Sequence, residues 1–129
     1  MIYTIRHGKT ELNKANVLQG RSNYPLNEEG KQQAKEAAAQ LQGIVFDYIF
    51  TSPLTRAVQT AEIIAPGTSM IIDDRLISTH AIAMKGLLEY LTPDSQGSYW
   101  SKYIGNCTIY AFDNAGGTYS IPVEYKFHA

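Results

Sequence analysis

The chain has 129 residues, of which 44% are hydrophobic and 18% charged, and its formal net charge at pH 7 is −1. This composition excludes a largely disordered chain, and the length favours one domain, residues 1–129, with a core of its own. The charge balance is close to neutral and shows no basic run. Nucleic acid is therefore not an expected partner.

The sequence also argues against secretion and against a membrane span. The N-terminus lacks the basic segment, apolar core and cleavage site of a signal peptide, and no apolar run approaches the roughly 18 residues that a span requires. The one cysteine, Cys107, excludes an internal disulfide and fits a reducing compartment. We expect a cytoplasmic protein with no membrane partner.

The first half of the chain alternates strand and helix patterns. Residues 1–5 are predicted to form a buried strand, and residues 14–25 a surface loop. Asn27 caps a helix that ends at Gly43, and its apolar positions are spaced i, i+3, i+4, i+7. A second buried strand over 44–50 and a helix from 54 to just before Pro66 complete the pattern. This alternation predicts an α/β fold with a mostly parallel sheet flanked by helices on both faces.

The second half of the chain begins with two apolar runs, 70–72 and 76–80, separated by Asp73, Asp74 and Arg75. A third helix is expected over 81–91, followed by a loop over 94–105. Two strand patterns, 108–112 and 118–123, then flank a turn at 114–117. They predict a C-terminal antiparallel hairpin, with Pro122 placing the last strand at a sheet edge.

Charged and polar side chains follow three of these strand patterns. Arg6, His7 and Gly8 follow the first strand, Arg56 lies in the first turn of the helix after the second, and His80 lies where the later apolar run gives way to a helix. In open α/β sheets the ligand crevice lies at the carboxyl ends of the strands. If the strands are parallel neighbours, two arginines and two histidines converge there, as a phosphate site requires.

Simpler interpretations exist for each of these residues. An arginine at a helix start is usually solvated, although cations are disfavoured at that end, so Arg56 is mildly unusual. His80 alone would more often be a satisfied, half-buried histidine, and His128 has no supporting context. Metal binding by His7 and His80 is disfavoured because the accompanying arginines repel cations.

The same residues carry a family resemblance. Residues 6–13 (Arg-His-Gly-Lys-Thr-Glu-Leu-Asn) resemble the signature of the histidine phosphatase superfamily, which includes cofactor-dependent phosphoglycerate mutase. Further matches are 19–26, Gly30, 46–57, 59–61 and, for the second histidine motif, 79–81. Residues 1–77 follow the pattern almost continuously, and 78 to about 113 follow it again.

The resemblance implies a phosphoglycerate mutase-like fold and a set of roles. His7 would be the nucleophile that forms a phosphohistidine, and Arg6, Arg56 and His80 would neutralise the phosphoryl oxygens. The residues expected to line the phosphate and substrate side are Gly8, Asn13, Gln19, Gly20 and Ala81. No metal or other cofactor is implied.

The chain departs from the family pattern between Ile77 and Ser78. In relatives this junction holds a long segment that carries the proton-donating glutamate, further helices and an apolar strand. A crossover between parallel strands needs about a dozen residues, so either one bent strand spans 70–79 or the chain omits residues here. We favour the omission. The remaining candidates for the proton donor are Glu11, Asp73 and Asp74.

These observations favour a metal-independent phosphatase acting on a phosphorylated small molecule. Phosphatase is preferred over mutase because the chain is short, although phosphoglycerate mutase stays an alternative. A different class of function is also open: a module that binds phosphate or a phosphoprotein and has lost the proton-donating residue. The sequence leaves the substrate and the oligomeric state undetermined.

Overall fold

The structure is a computed structural model in which residues 1–77, 80–92 and 97–125 are described. The helices are α1 (Glu11–Lys14), α2 (Glu28–Gln40), α3 (Thr55–Ile64), α4 (His80–Leu91) and α5 (Ser98–Ser101). The strands are β1 (Ile2–Ile5), β2 (Ile49–Thr51), β3 (Met70–Ile72), β4 (Ile109–Phe112), β5 (Asn114–Ala115), β6 (Thr118–Tyr119) and β7 (Val123–Tyr125). A 3₁₀ helix, Asp74–Ile77, follows β3.

The strands form separate sheets rather than one. β1, β4 and β7 make an antiparallel sheet in that order, with Ile5 opposite Ile109 and Ile109 opposite Tyr125. β2 and β3 pair in parallel, with Phe50 opposite Ile71. The prediction of a mostly parallel sheet is therefore wrong for the larger sheet. The alternating pattern gives each strand's place in the chain, but not which strand it pairs with.

Helices cover both faces of the antiparallel sheet, as predicted. In β4 the buried neighbours Ile109 and Tyr110 belong to different clusters: Ile109 packs with Ala34 and Ala37 of α2, and Tyr110 packs with Leu88 of α4. Successive side chains of a strand point to opposite faces. Accordingly, α2 and α4 lie on opposite sides of the sheet.

The helix bounds follow from local chemistry. The Asn27 side chain accepts a hydrogen bond from the Gly30 backbone N–H at 2.8 Å, which caps α2 as the sequence predicts. The helices predicted up to Gly43, before Pro66 and over 81–91 correspond to α2, α3 and α4. α1 was not predicted; it is held by a capping box in which the Thr10 and Asn13 side chains bond to each other's backbone N–H.

Three predicted segments differ in the structure. The strand predicted over 44–50 begins only at Ile49, and the loop predicted over 94–105 contains α5. Residues 74–77 form the 3₁₀ helix, so no single bent strand spans 70–79; residues 78 and 79 lie outside the described part of the chain. A short C-terminal hairpin, β5–β6, is present, and β7 follows Pro122 at the edge of the sheet.

Candidate active site

His7 lies directly after β1, in the position that the sequence predicts. Its side chain is buried, and its ring atom Nδ1 lies 2.7 Å from the Gly8 carbonyl oxygen. A carbonyl oxygen only accepts hydrogen bonds, so this contact places the proton of the neutral imidazole on Nδ1. The lone pair then resides on Nε2, the atom that a nucleophilic role requires.

The loop that carries His7 is attached to α3 through Thr60. The backbone N–H of Gly8 donates to Thr60 Oγ1 at 3.0 Å, and that hydroxyl donates to the Arg56 carbonyl at 2.7 Å. Thr60 is buried, so both bonds are shielded from water. One hydroxyl therefore joins the loop after β1, which carries His7, to α3, which carries Arg56.

Arg56 is the second residue of α3, and only 2% of its surface is exposed. Its guanidinium donates to the carbonyl oxygens of Ser22 and Gly20, the latter at 3.0 Å. Burial lowers the pKa of the guanidinium, because a charged group is less well solvated there. Arg56 thus brings the loop around Gly20, a predicted substrate-side residue, up to the start of α3.

Asn13 is the centre of a polar network beside His7. Its side-chain oxygen accepts from the Thr10 backbone N–H and from Asn106 Nδ2, both at 3.2 Å. Asn106 Nδ2 also donates to the His7 carbonyl at 3.0 Å, and Thr10 Oγ1 donates to Gln19 Oε1 at 2.8 Å. The network places the predicted residues Asn13 and Gln19 in one group with His7.

Arg6, the residue before His7, is held by residues 104–108. Its Nη1 donates to the carbonyl of Ile104, and its backbone is bonded to Thr108 and Cys107 of the segment before β4. The Nε atom is buried and has no hydrogen-bond partner among the described residues. A guanidinium held at one nitrogen retains further donors for an anion.

The third predicted group of site residues, at the start of α4, lies largely outside the described part of the chain. His80 is the first residue of α4, but the side chains of His80 and Ala81 are not described, and His128 lies outside the described range altogether. Their predicted roles therefore stay predictions. Arg6, His7, Gly8, Asn13, Gln19, Gly20 and Arg56 are the predicted site residues that the structure brings together.

The three candidate proton donors differ in their surroundings. Glu11 is exposed at the start of α1, and Asp74 is exposed at the start of the 3₁₀ helix. Asp73 hydrogen bonds to the Arg75 side chain and backbone, which lowers the pKa of its carboxyl to about 2. A carboxyl that is ionised at neutral pH has no proton to give, so the structure disfavours Asp73 as the acid.

The sequence did not single out Asn106 or Thr60 as part of this site. Thr60 belongs to the matched run 59–61, but neither residue was assigned a role in the site. Both act through bonds to distant segments: Asn106 is 93 positions from Asn13, and Thr60 is 52 positions from Gly8. Local sequence carries no signal for such pairings.

The described residues contain neither a metal-binding cluster nor a membrane-spanning helix. No group of three or more His, Cys, Asp or Glu side chains there is arranged to hold a metal ion. No helix in the same residues is both long and apolar enough to cross a membrane.

The family of the chain follows from comparison with known proteins. Residues 2–78 match the histidine phosphatase superfamily (branch 1). The chain belongs to this superfamily. The matched residues include His7, Arg6 and Arg56, which the structure places around one buried loop.

Individual relatives agree with the family and differ in length. A probable phosphoglycerate mutase GpmB of Cronobacter sakazakii is 36% identical over 110 residues, which cover 83% of this chain and 50% of the relative. The chain therefore spans about half the length of the curated relatives it matches.

Solved structures give the same fold. YhfR of Bacillus stearothermophilus superposes with a TM-score of 0.81 over 92% of this chain and 93% of its own, at 21% identity. A mycobacterial glucosyl-3-phosphoglycerate phosphatase, solved with VO₃, is 28% identical, with a TM-score of 0.57 over 75% of this chain and 51% of its own.

Proposed function

We propose that the chain is a phosphatase that hydrolyses phosphomonoesters of small molecules through a phosphohistidine on His7. The observation that carries this proposal is the 2.7 Å contact between His7 Nδ1 and the Gly8 carbonyl. That contact orients the ring and leaves the lone pair on Nε2, as nucleophilic catalysis by histidine requires.

The chemistry runs in two displacements. His7 Nε2 attacks phosphorus while the ester P–O bond breaks, and the leaving oxygen takes up a proton. Water then attacks the phosphohistidine, which releases inorganic phosphate and restores the imidazole. Arg6 directly precedes His7, and Thr60 joins the backbone of Arg56 to the His7 loop; the proposed role of both guanidinium groups is to stabilise the charge on the phosphoryl oxygens. Asn13 and Gln19 are proposed to line the substrate side, and His80 to complete the set of cations.

The relatives support a phosphorylated small molecule as substrate. The curated relatives include a probable phosphoglycerate mutase, and a structural relative is a glucosyl-3-phosphoglycerate phosphatase. We propose hydrolysis, as in the phosphatase relative, and phosphoryl transfer between substrate positions, as in a phosphoglycerate mutase, is the alternative.

The proposal is tested with two substrates and two variants. We expect p-nitrophenyl phosphate, whose leaving group needs little protonation, to be hydrolysed by the 129-residue chain and by His128→Ala, and not by His7→Ala. General acid help contributes roughly 10²–10⁴-fold, so glycerol phosphate should be turned over far more slowly if the chain lacks its acid. Equal rates for His7→Ala and the unmodified chain would refute the proposal.

A second candidate, a phosphate- or phosphoprotein-binding module, rests on the state of Asp73. Arg75 keeps the pKa of this carboxyl at about 2, and the other two candidate acids are exposed. Titration calorimetry with inorganic phosphate separates the two functions. Binding to the intact chain without turnover of either substrate favours the module, and turnover that depends on His7 favours the phosphatase.

A further inference from the structure

The loop that carries His7 packs against the start of α2. Asn27, Gly30 and Gln33 are spaced three residues apart, and all three approach the backbone of Lys9. The Asn27 N–H donates to the Lys9 carbonyl at 3.0 Å, and the Lys9 N–H donates to Gln33 Oε1 at 3.0 Å. A Cβ atom on Gly30 would lie 2.6 Å from the Lys9 nitrogen, so the missing side chain there lets the loop come within reach of Gln33.

The Lys9 N–H and the Gly8 carbonyl belong to the same peptide group. A peptide group is planar, and in its trans form the N–H and the C=O point in opposite directions. Gln33 holds the N–H end toward α2, and the carbonyl at the other end lies 2.7 Å from His7 Nδ1. Gln33 therefore fixes the direction of the oxygen that orients the His7 ring.

The preceding peptide group, between His7 and Gly8, is held by other residues. Its N–H donates to Thr60 Oγ1, and its carbonyl accepts from Asn106 Nδ2. Gly8 has no Cβ atom, so its dihedral angles permit many orientations of the next peptide group. The hydrogen bond to Gln33 supplies the restriction that glycine does not.

The direction of the Gly8 carbonyl decides which nitrogen of His7 carries the proton. An oxygen that faces Nδ1 stabilises the Nδ1–H tautomer, because a carbonyl oxygen only accepts hydrogen bonds. Hydrogen bonds in a chain strengthen one another, so the bond from the Lys9 N–H to Gln33 makes the Gly8 oxygen a better acceptor. With that oxygen turned away, the Nε2–H tautomer becomes populated, and it lacks the lone pair that attacks phosphorus.

We propose that Gln33 is a positioning residue for His7. By accepting from the Lys9 N–H, it keeps the Gly8 carbonyl on Nδ1 and so selects the tautomer in which Nε2 is the nucleophile. It acts on the ring through the peptide group between Gly8 and Lys9. The kinetic part of this proposal rests on the proposed function, whereas the effect on the tautomer does not.

The test compares Gln33→Met and Gln33→Glu with the control Gln32→Met. Methionine matches the length of the glutamine side chain but has no amide oxygen, whereas glutamate keeps an oxygen at the same distance. Gln32 is the exposed neighbour in the same turn. Heteronuclear NMR of the ring nitrogens reports the tautomer at about pH 8.5, where a histidine of ordinary pKa is neutral. The signals of His7 are identified by their absence from His7→Ala.

We expect the unmodified chain, Gln33→Glu and Gln32→Met to show the Nδ1–H tautomer of His7. One hydrogen bond changes a population ratio by roughly two- to twelvefold, so Gln33→Met should lower the ratio of Nδ1–H to Nε2–H by a factor in that range. For p-nitrophenyl phosphate, kcat should fall at least in proportion to the remaining Nδ1–H fraction, with KM little changed.

A Gln33→Met chain with the tautomer ratio of the unmodified chain would overturn the proposal whatever its turnover, because Gln33 would then act only in packing. Failure of Gln33→Glu to restore the ratio would also overturn it. If Gln33→Met does not fold, Gln33→Asn replaces it with the same expectation, since its oxygen falls one methylene short of the Lys9 N–H. A shifted tautomer without turnover in any chain would refute the proposed phosphatase and support the role of Gln33.

Discussion

Replacing Gly30 with alanine tests how tightly the active-site loop is held against α2. A Cβ atom built on Gly30 lies 2.0 Å from the Lys9 carbonyl oxygen and 2.6 Å from its nitrogen, both backbone atoms. Lys9 follows the His7–Gly8 pair, and its carbonyl accepts a hydrogen bond from the Asn27 N–H at 3.0 Å. To restore an ordinary contact of 3.4 Å, the loop has to retreat by about 1.4 Å.

The cost of this displacement can be estimated from its parts. Forcing an extra methyl group into a packed site costs about 1–3 kcal/mol, and the hydrogen bond lost between Asn27 and Lys9 costs roughly 0.5–1.5 kcal/mol. About 1 kcal/mol of this cost is offset, because alanine favours the helix more than glycine does. We expect Gly30→Ala to lower the free energy of unfolding by about 1–3 kcal/mol.

Urea unfolding of Gly30→Ala and of Gln32→Ala, an exposed change in the same turn of α2, measures the effect. The control should stay within about 0.5 kcal/mol of the unmodified chain. A displacement of about 1 Å at a reacting group costs about 10²-fold in rate, so any turnover through His7 should fall by that factor. A Gly30→Ala chain as stable as the control would show that the close approach of the loop to α2 is not rigid.

Further predictions concern three residues around the loop: Thr60 and Cys107, which are buried, and Asn106, which is half-buried. Thr60→Val leaves the Gly8 N–H without its acceptor and should cost about 1–3 kcal/mol in urea unfolding, whereas Thr60→Ser should restore most of the stability. Asn106→Ala removes the hydrogen bond to the His7 carbonyl, so we expect calorimetry to show weaker phosphate binding. The free energy of unfolding should change less than in Thr60→Val. Unchanged phosphate binding would contradict this prediction. Burial raises the pKa of the Cys107 thiol to about 12, so Ellman's reagent at pH 8 should modify it only after unfolding. An unfolded thiol ionises near pH 8.5, so stability should fall as pH rises from about 9 toward 12, and Cys107→Ala should reduce that slope.

The helices could be predicted from the sequence because their signals are local. Asn27 supplies the cap of α2, and apolar spacing identifies α3 and α4 within a few residues. Strand pairing is not local. β1 pairs with β4, whose residues are about a hundred positions away, and nothing in residues 1–5 specifies an antiparallel neighbour.

The candidate site shows the same division between local and distant effects. Arg56 is recognisable because an arginine in the first turn of a helix is unfavourable without a role, and the structure buries it among backbone carbonyls. The exposure of Tyr48 and Phe50 could not be foreseen, because the aromatic and β-branched residues next to them in sequence predict a buried strand. Whether such a run is covered depends on which strand lies beside it.

The residues of the site also hold the fold together, and this affects how the family motif should be read. Gly8 and Gly30 permit a close backbone contact, Thr60 satisfies a buried N–H, and Arg56 binds two carbonyls of the preceding loop. Each of these contacts stabilises the chain whether or not a phosphoryl group is transferred. A module that binds phosphate without turnover would therefore keep the same residues. Turnover that depends on His7, rather than the presence of the motif, is the property that separates the two functions.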